Sequence, residues 1–204
     1  MIIQSKQVWV SSTFIEAQLE IEDAKITGIY PYGTKPVDKD YGEDRILPGM
    51  IDIHCHGGLG FDTNDANHEG LRTWAAGLPK EGITGFLSEE VLTKALINVT
   101  EVVDEGYEGA EILGIHFEGP YLNAKNKGAQ PEQFIVTPNV EQFKKYQEAA
   151  KGMIKVITLA TEMDPDWALT RYASSHGVCV SIGHSGATYE DALMGIANGA
   201  NSMT

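Results

Sequence analysis

The sequence predicts an α/β protein built on a parallel-stranded barrel of the (β/α)8 type. Three observations support this: short apolar segments alternate with amphipathic helical segments after residue 47, their spacing suits right-handed crossovers, and metal-binding side chain types fall where strands end. In (β/α)8 barrels the chemistry lies at the carboxyl ends of the strands. The repeats alone also allow an open, doubly wound sheet.

The first 47 residues are predicted to form a small β-domain. Apolar and polar residues alternate over residues 7–10, 17–21 and 25–30, as in strands that are buried on one face. Turn residues and an acidic linker then lead to Pro48. We therefore expect a boundary near residue 47, with residues 48–204 containing the first five to six βα units of the barrel.

The barrel elements are predicted from apolar runs and from helix start signals. Strands are expected over residues 50–54, 83–87, 112–117, 154–160 and 178–182, and a sixth strand over 201–204. Helix start signals are Thr137-Pro138, Asp164-Pro165 and the capping box of Thr188 with Asp191. The helix between the first two strands has apolar residues at helical spacing, and so does the next one, from Leu92 to Val103. The last helix is expected to bury Tyr189, Ala192, Leu193, Ile196 and Ala197.

The composition restricts the partners and the location of the protein. The net charge of −14 argues against nucleic acid and anionic membranes as partners, although a metal or local dipoles can still attract a phosphorylated small molecule. Cys55 and Cys179 lie in apolar runs, so we expect reduced, buried thiols. No basic leader with a long apolar run occurs, and we expect a cytoplasmic protein.

The run LPGMIDIHCHGGLG carries the clearest metal signal of the sequence. Side chains of a strand alternate between its faces, so His54 and His56 point the same way and can share one ion. Imidazole pairs suit zinc or iron. The alternative is a pair of hydrogen-bonded structural histidines. Glycines 57, 58 and 60 only loosely resemble a phosphate-binding loop, and a flexible turn is the better interpretation.

Two further strand ends carry candidate metal ligands. Glu118 in HFEGPYLN ends an apolar strand, where a carboxylate needs a cation or an ion pair. His184 in SIGHSGAT stands between a strand and a loop. For His116 we expect ordinary packing rather than support of a ligand. Ser185 lacks the surroundings of a catalytic serine elbow.

The segments LPGMIDIHCHGG, HFEGPYLNAKNKGAQ and SIGHSGATYEDA resemble the N-acetylglucosamine-6-phosphate deacetylases of the amidohydrolase superfamily. The resemblance implies a metal-dependent TIM-like barrel, incomplete in these 204 residues, preceded by part of a small β-sandwich. It also implies hydrolysis of the acetamido group of a phosphorylated amino sugar by an enzyme with one or two divalent ions, zinc or iron. A homodimer is expected.

The resemblance assigns roles by position. Glu118 and His184 match metal ligands, and His54 with His56 match the pair found in members with a second metal site. Ala129 matches a substrate-contacting position, and Gln130 stands where many relatives have histidine. The acidic Ser88-Glu89-Glu90 segment departs from the uncharged pattern of the family.

The resemblance also implies that a further histidine ligand follows Thr204 and that the catalytic aspartate comes later still. We therefore expect no catalytic residue within these 204 residues and no activity from them alone. Two alternatives remain at this point: another amidohydrolase, such as a dihydroorotase-like or hydantoinase-like ring opener, and a non-catalytic metal-binding protein.

Overall fold

Two compact units make up the chain, Met1–Gly49 and Met50–Thr204. The structure is a computed structural model that describes residues 1–90 and 93–204, with the side chains of Glu89 and Glu90 left out. Leu92, which was predicted to start a helix, and the acidic side chains of the 88–90 segment therefore lie outside the described part.

The first unit contains one five-stranded sheet. Strands β1 (Ile2–Val10), β2 (Thr13–Glu22) and β3 (Lys25–Pro31) form an antiparallel meander, and the short β4 (Lys39–Asp40) and β5 (Arg45–Ile46) pair in parallel with β1. Ser11 and Ser12 join β1 to β2 with φ of 47° and 70°, the positive values that a tight type I′ hairpin turn requires. Val8, Ala17 and Leu19 form the buried core of this unit.

The second unit is built on a six-stranded parallel sheet. Its strands are β6 (Met50–Cys55), β9 (Ile83–Glu90), β10 (Glu111–Glu118), β11 (Ile154–Leu159), β12 (Cys179–Ile182) and β13 (Ser202–Met203). Each strand lies beside the next one in the sequence, whereas a doubly wound sheet reverses its strand order at a switch point. This order therefore supports the barrel-type arrangement over the doubly wound alternative.

Helices connect the strands of this sheet and bury apolar side chains against it. Side chains such as Phe86 and Ile115 from the strands, and Leu96 and Leu169 from the helices, form one buried core. A short hairpin of β7 and β8 follows β6. The helices are α1 (His68–Gly77), α2 (Thr93–Glu105), α3 (Val140–Ala149), α4 (Ala168–Ser175) and α5 (Tyr189–Ala197), and the hairpin strands are Gly57–Gly58 and Phe61–Asp62.

Two predicted helix starts were wrong. The helix predicted at Thr137-Pro138 begins at Val140, because the Asn139 side chain accepts a hydrogen bond from the Gln142 N–H and acts as its cap. At Asp164-Pro165 a 3-10 turn comes first, and α4 begins only at Ala168. The capping box of Thr188 with Asp191 is present as predicted.

Several side chains predicted to be buried are exposed. In α5 the side chains of Leu193 and Ile196 are 45% and 57% exposed, and Tyr189 and Ala197 are exposed too. The reason is that no described element covers that face of α5. Cys55 and Cys179 are half-buried rather than buried. Among the described helices, none is long and apolar enough to cross a membrane.

Candidate metal centre

All four predicted ligands stand at or just beyond the carboxyl ends of alternate strands of the parallel sheet, β6, β10 and β12. His54 lies near the end of β6, Glu118 ends β10, and His184 follows β12. His56 stands directly after β6. The carboxyl ends of parallel strands lie at the same edge of a sheet, so residues far apart in the sequence meet there.

The donor atoms of these residues lie close together. His54 Nε2 is 3.2 Å from His56 Nε2 and 3.5 Å from Glu118 Oε1. His184 Nε2 is 3.1 Å from the same Glu118 oxygen. Glu118 is buried, whereas the two imidazoles nearest to it retain about a quarter of their side-chain exposure. The carboxylate therefore stands at the centre of the group, with imidazoles on its open side.

The spacing of these donors fits ligands of a single ion. Bonds of about 2.0–2.2 Å at tetrahedral angles place two ligand atoms about 3.3–3.6 Å apart. The distances from His54 Nε2 to His56 Nε2 and Glu118 Oε1 are close to this range. Within the described residues, donors of His54, His56 and Glu118 all lie within 4.8 Å of one another. Two imidazoles and a carboxylate form a donor set that suits zinc or iron.

His184 is held for a similar role. Its Nδ1 donates a hydrogen bond to the Asn126 carbonyl oxygen at 2.9 Å, which in a neutral ring leaves the Nε2 lone pair facing Glu118. Two acceptor atoms at that distance need a proton or a cation between them. Metal-binding histidines commonly donate their other N–H to a backbone carbonyl in this way. The His184 backbone has φ of 48°, a strained value of the kind that clusters at functional sites.

Side chains of neighbouring strands pack closely against Gly183, the residue before His184. A Cβ at Gly183 would lie 2.6 Å from Thr158 Cγ2 and 3.0 Å from Thr204 Cβ. Only glycine therefore fits between the His184 turn and the neighbouring strands. The Ser185 hydroxyl, which was not expected to act as a nucleophile, donates a hydrogen bond to Glu162 at 2.7 Å.

The predicted substrate-binding residues border the same space. Ala129 and Gln130 line a cavity of about 300 Å³ together with the four predicted ligands and Thr204. The Gln130 amide donates to Glu118 Oε2 at 3.4 Å. A neighbouring, mostly apolar cavity of about 470 Å³ also includes His56, Ala129 and Gln130 in its wall. These two spaces together are large enough for a small ligand at the donor cluster.

The electrostatic surroundings favour the neutral form of the His54 imidazole beside Glu118. Burial lowers the pKa of His54, and the neighbouring His56 adds to this, while the charge of Glu118 acts in the opposite direction. A neutral imidazole is the form that binds a metal ion.

The structure places His116 beside this centre, with a polar partner on each ring nitrogen. Ordinary packing was expected for His116 rather than support of a ligand, but its Nδ1 contacts the Ile53 carbonyl oxygen at 2.7 Å and its Nε2 contacts the Thr158 hydroxyl at 2.7 Å. Its ring centroid is 4.5 Å from that of His54. The alternation of strand faces, which puts His116 on the face of Glu118, was the signal that could have found it.

The two remaining histidines, His68 and His176, do not belong to this group of donors. His68 begins α1, and its Nε2 pairs with Glu101 at 3.1 Å. His176 follows α4 and donates from Nδ1 to the Tyr172 carbonyl oxygen.

Several known proteins are similar to this chain in sequence. The chain is 40% identical over 199 residues to the N-acetylglucosamine-6-phosphate deacetylase of Bacillus subtilis (strain 168), which covers 90% of the chain and 50% of the relative. The chain is homologous to N-acetylglucosamine-6-phosphate deacetylases. A more distant relative, 28% identical over 192 residues, is the N-acetylgalactosamine-6-phosphate deacetylase of Escherichia coli O157:H7, with 91% of the chain and 50% of the relative covered. No family model matches the chain.

The comparison with solved structures supports the fold. The crystal structure of N-acetyl-D-glucosamine-6-phosphate deacetylase from Mycobacterium smegmatis matches with a TM-score of 0.92 at 24% identity, over 100% of this chain and 55% of that one. The curved parallel sheet is therefore the fold of these deacetylases. The chain spans about half the length of the curated relatives that it matches.

Proposed function

We propose that the whole protein carrying this chain is a metal-dependent deacetylase of N-acetylglucosamine 6-phosphate, which releases acetate and glucosamine 6-phosphate. The observation that supports this most directly is the cluster of His54, His56, Glu118 and His184 at the strand ends of a deacetylase fold. Homology to deacetylases indicates which reaction to expect, and the cluster of metal-binding donor atoms indicates how it could be catalysed.

Within this proposal Glu118 and His184 would hold one divalent ion, zinc or iron, and His54 with His56, whose donors also lie close to Glu118, would provide for a second. Such an ion polarises an amide carbonyl and lowers the pKa of water. One oxygen of the buried Glu118 lies near both His54 Nε2 and His184 Nε2, and its other oxygen accepts a hydrogen bond from the Gln130 amide. No described residue is proposed as the general base, so the chain contributes binding and orientation.

Ala129 and Gln130 are proposed to border the bound substrate. Gln130 Nε2 lies beside Glu118, where an amide donor can contact a substrate oxygen. Ala129 and Gln130 line both cavities, so a substrate with its acetamido group at the ions extends past them into the larger space. The homodimer, and a β-sandwich that includes residues 1–47, belong to the same proposal.

Acetate release by the whole protein tests this function. The protein is purified metal-free, loaded with zinc or iron(II), and supplied with N-acetylglucosamine 6-phosphate, its galactosamine epimer, or unphosphorylated N-acetylglucosamine. We expect metal-dependent acetate release from a phosphorylated sugar, loss with a chelator, and recovery on adding the ion. Opening of dihydroorotate or hydantoin rings instead would support the rival enzyme. Metal binding without hydrolysis of any of these compounds would support the non-catalytic alternative.

A further inference from the structure

A row of hydrogen bonds runs beneath the metal centre across the sheet. The Ser181 hydroxyl is 2.6 Å from the Thr204 hydroxyl, which is 2.9 Å from the Thr158 hydroxyl. Thr158 is 2.7 Å from His116 Nε2, and His116 Nδ1 is 2.7 Å from the Ile53 carbonyl oxygen. The row thus links β12, the end of β13, β11, β10 and β6, and three of these strands carry or precede proposed ligands.

The chemistry of the first partner fixes the direction of the whole row. A carbonyl oxygen only accepts, so His116 Nδ1 carries a proton and donates it to Ile53. In a neutral ring Nε2 then has no proton and accepts from the Thr158 hydroxyl. Thr158 in turn accepts from Thr204, and Thr204 accepts from Ser181. Each of the three hydroxyls in the row therefore donates its hydrogen bond to one defined partner.

Burial favours the neutral form of His116 that this direction requires. The side chains of His116, Thr158 and Ser181 belong to residues that are at most 2% exposed. A charged ring there would lack water, and the imidazole ring of His54 lies against it at 4.5 Å.

We propose that His116 is a positioning residue for the metal centre, held as the neutral Nδ1–H tautomer by Thr158. Its hydrogen bond fixes the Ile53 carbonyl, and Ile53 directly precedes His54. By joining the end of β6 to β10, His116 sets the distance between His54 Nε2 and Glu118 Oε1. The inference rests on the proposed function only in assuming that this cluster binds an ion.

Variants of the whole protein separate this role from packing. H116F keeps a buried ring and loses both hydrogen bonds, whereas H116N keeps a donor for the Ile53 carbonyl. T158V removes the hydroxyl that fixes the tautomer, and T158S keeps it. T100V is a matched control, because Thr100 is equally buried but its hydroxyl donates to Ile97 within α2.

Zinc affinity, measured by competition with a chromophoric chelator, is the first readout. Loss of a group that orients a metal ligand typically costs about 10–100-fold in metal affinity. We expect a loss of that size for H116F and T158V, and affinity close to wild type for T158S and T100V. H116N is expected to bind more tightly than H116F. Wild-type affinity in both H116F and T158V would overturn the proposal.

Nitrogen NMR of the imidazole rings in the metal-free wild type is the second readout, and it needs no variant to fold. We expect the His116 ring to be protonated at Nδ1 only, and T158V to lose this preference while T158S keeps it. An Nε2–H tautomer of His116 in the wild type would overturn the inference. If the wild type binds no zinc at all, the proposed function fails, whatever tautomer His116 shows.

Discussion

Glu118 is the residue on which the geometry of the centre depends. It is buried, and one of its oxygens is shared by His54 and His184 while the other accepts from Gln130. A buried carboxylate is costly unless cations or donors surround it. The buried charge of Glu118 is therefore expected to destabilise the metal-free fold, as is common for residues that serve function rather than stability.

Replacing Glu118 by glutamine should separate binding from stability. E118Q keeps the shape of the side chain but removes its charge. We therefore expect the zinc affinity of the whole protein to fall by at least about 10–100-fold, which is the loss typical of mutating a residue that only orients a metal ligand. Without metal, its free energy of unfolding should not fall. E111Q, at the exposed start of the same strand, is the control. Chelator competition and urea denaturation measure the two effects, and unchanged zinc affinity in E118Q would exclude Glu118 as a ligand.

Removing His54 and His56 together should lower the number of bound ions without unfolding the protein. His54 is partly exposed and His56 is exposed, so neither side chain is part of the apolar core. We expect the H54A/H56A variant of the whole protein to retain its circular dichroism spectrum while its metal content, measured by elemental analysis, decreases. An unchanged ratio of metal to protein would contradict the role proposed for this pair.

The Cys179 thiol offers a check on burial that does not involve the metal. Burial raises its pKa, so less of the reactive thiolate is present at a given pH than in an unfolded chain. We expect iodoacetamide to label Cys179 more slowly in the folded than in the denatured protein at pH 7–8, with the difference narrowing as the pH rises through the folded pKa. Mass spectrometry of the labelled peptides distinguishes it from Cys55, and equal rates in both states at pH 7 would contradict the expectation.

At the scale of single residues, the positions of predicted strand ends were enough to select the candidate ligands from the sequence. His54, Glu118 and His184 could be found because each follows an apolar run, and strand ends of a parallel sheet meet. The row from His116 to Ser181 could not be found, because its partners come from five separate strands. Which hydroxyl faces which depends on the register between strands, which the sequence pattern does not determine.

At the scale of elements, the positions of helices could be predicted better than their first residues. Both Thr137-Pro138 and Asp164-Pro165 satisfy the local rules for a helix start, yet each helix begins later. The chain at Asp166 and Trp167 has φ of 53° and 51°, so it turns sharply before α4 begins. Asp164 still serves that helix, because its carboxylate accepts from the Leu169 and Thr170 N–H groups across the turn.

This bridging role makes Asp164 a sensitive position for stability. It is buried, and it also accepts the Thr170 hydroxyl at 2.8 Å. D164A would leave these donors without a partner, so we expect a loss of about 1–3 kcal/mol in the free energy of unfolding. D164N keeps an acceptor oxygen and should lose less. Urea denaturation with an unchanged slope measures the difference, and equal stability of D164A and the wild type would show that the carboxylate does not support α4.

For the whole molecule, alternation of strands and helices was sufficient to predict parallel strands. The same alternation did not predict which faces of the helices and strands stay exposed to solvent. The apolar residues of α5 were expected to be buried because amphipathic spacing shows that a helix has an apolar face, not that another element covers it. Similarly, Ile51 and Ile53 on β6 are 60% and 58% exposed, although strand residues of this kind normally pack against a helix.

We expect the 204-residue chain to self-associate through these exposed apolar faces. β6 and β13 are the two edges of the described sheet, and apolar side chains stand exposed on β6 and on α5 beside them. Unpaired strand edges and contiguous apolar surface both promote association. Light scattering coupled to size-exclusion chromatography should therefore give a mass that rises with concentration. The I51K/I53K double variant should lower it, whereas I26K, a change at a similarly exposed residue of the first unit, should not. A constant monomeric mass for the wild-type chain would show that the exposed apolar side chains of β6 do not promote association in water.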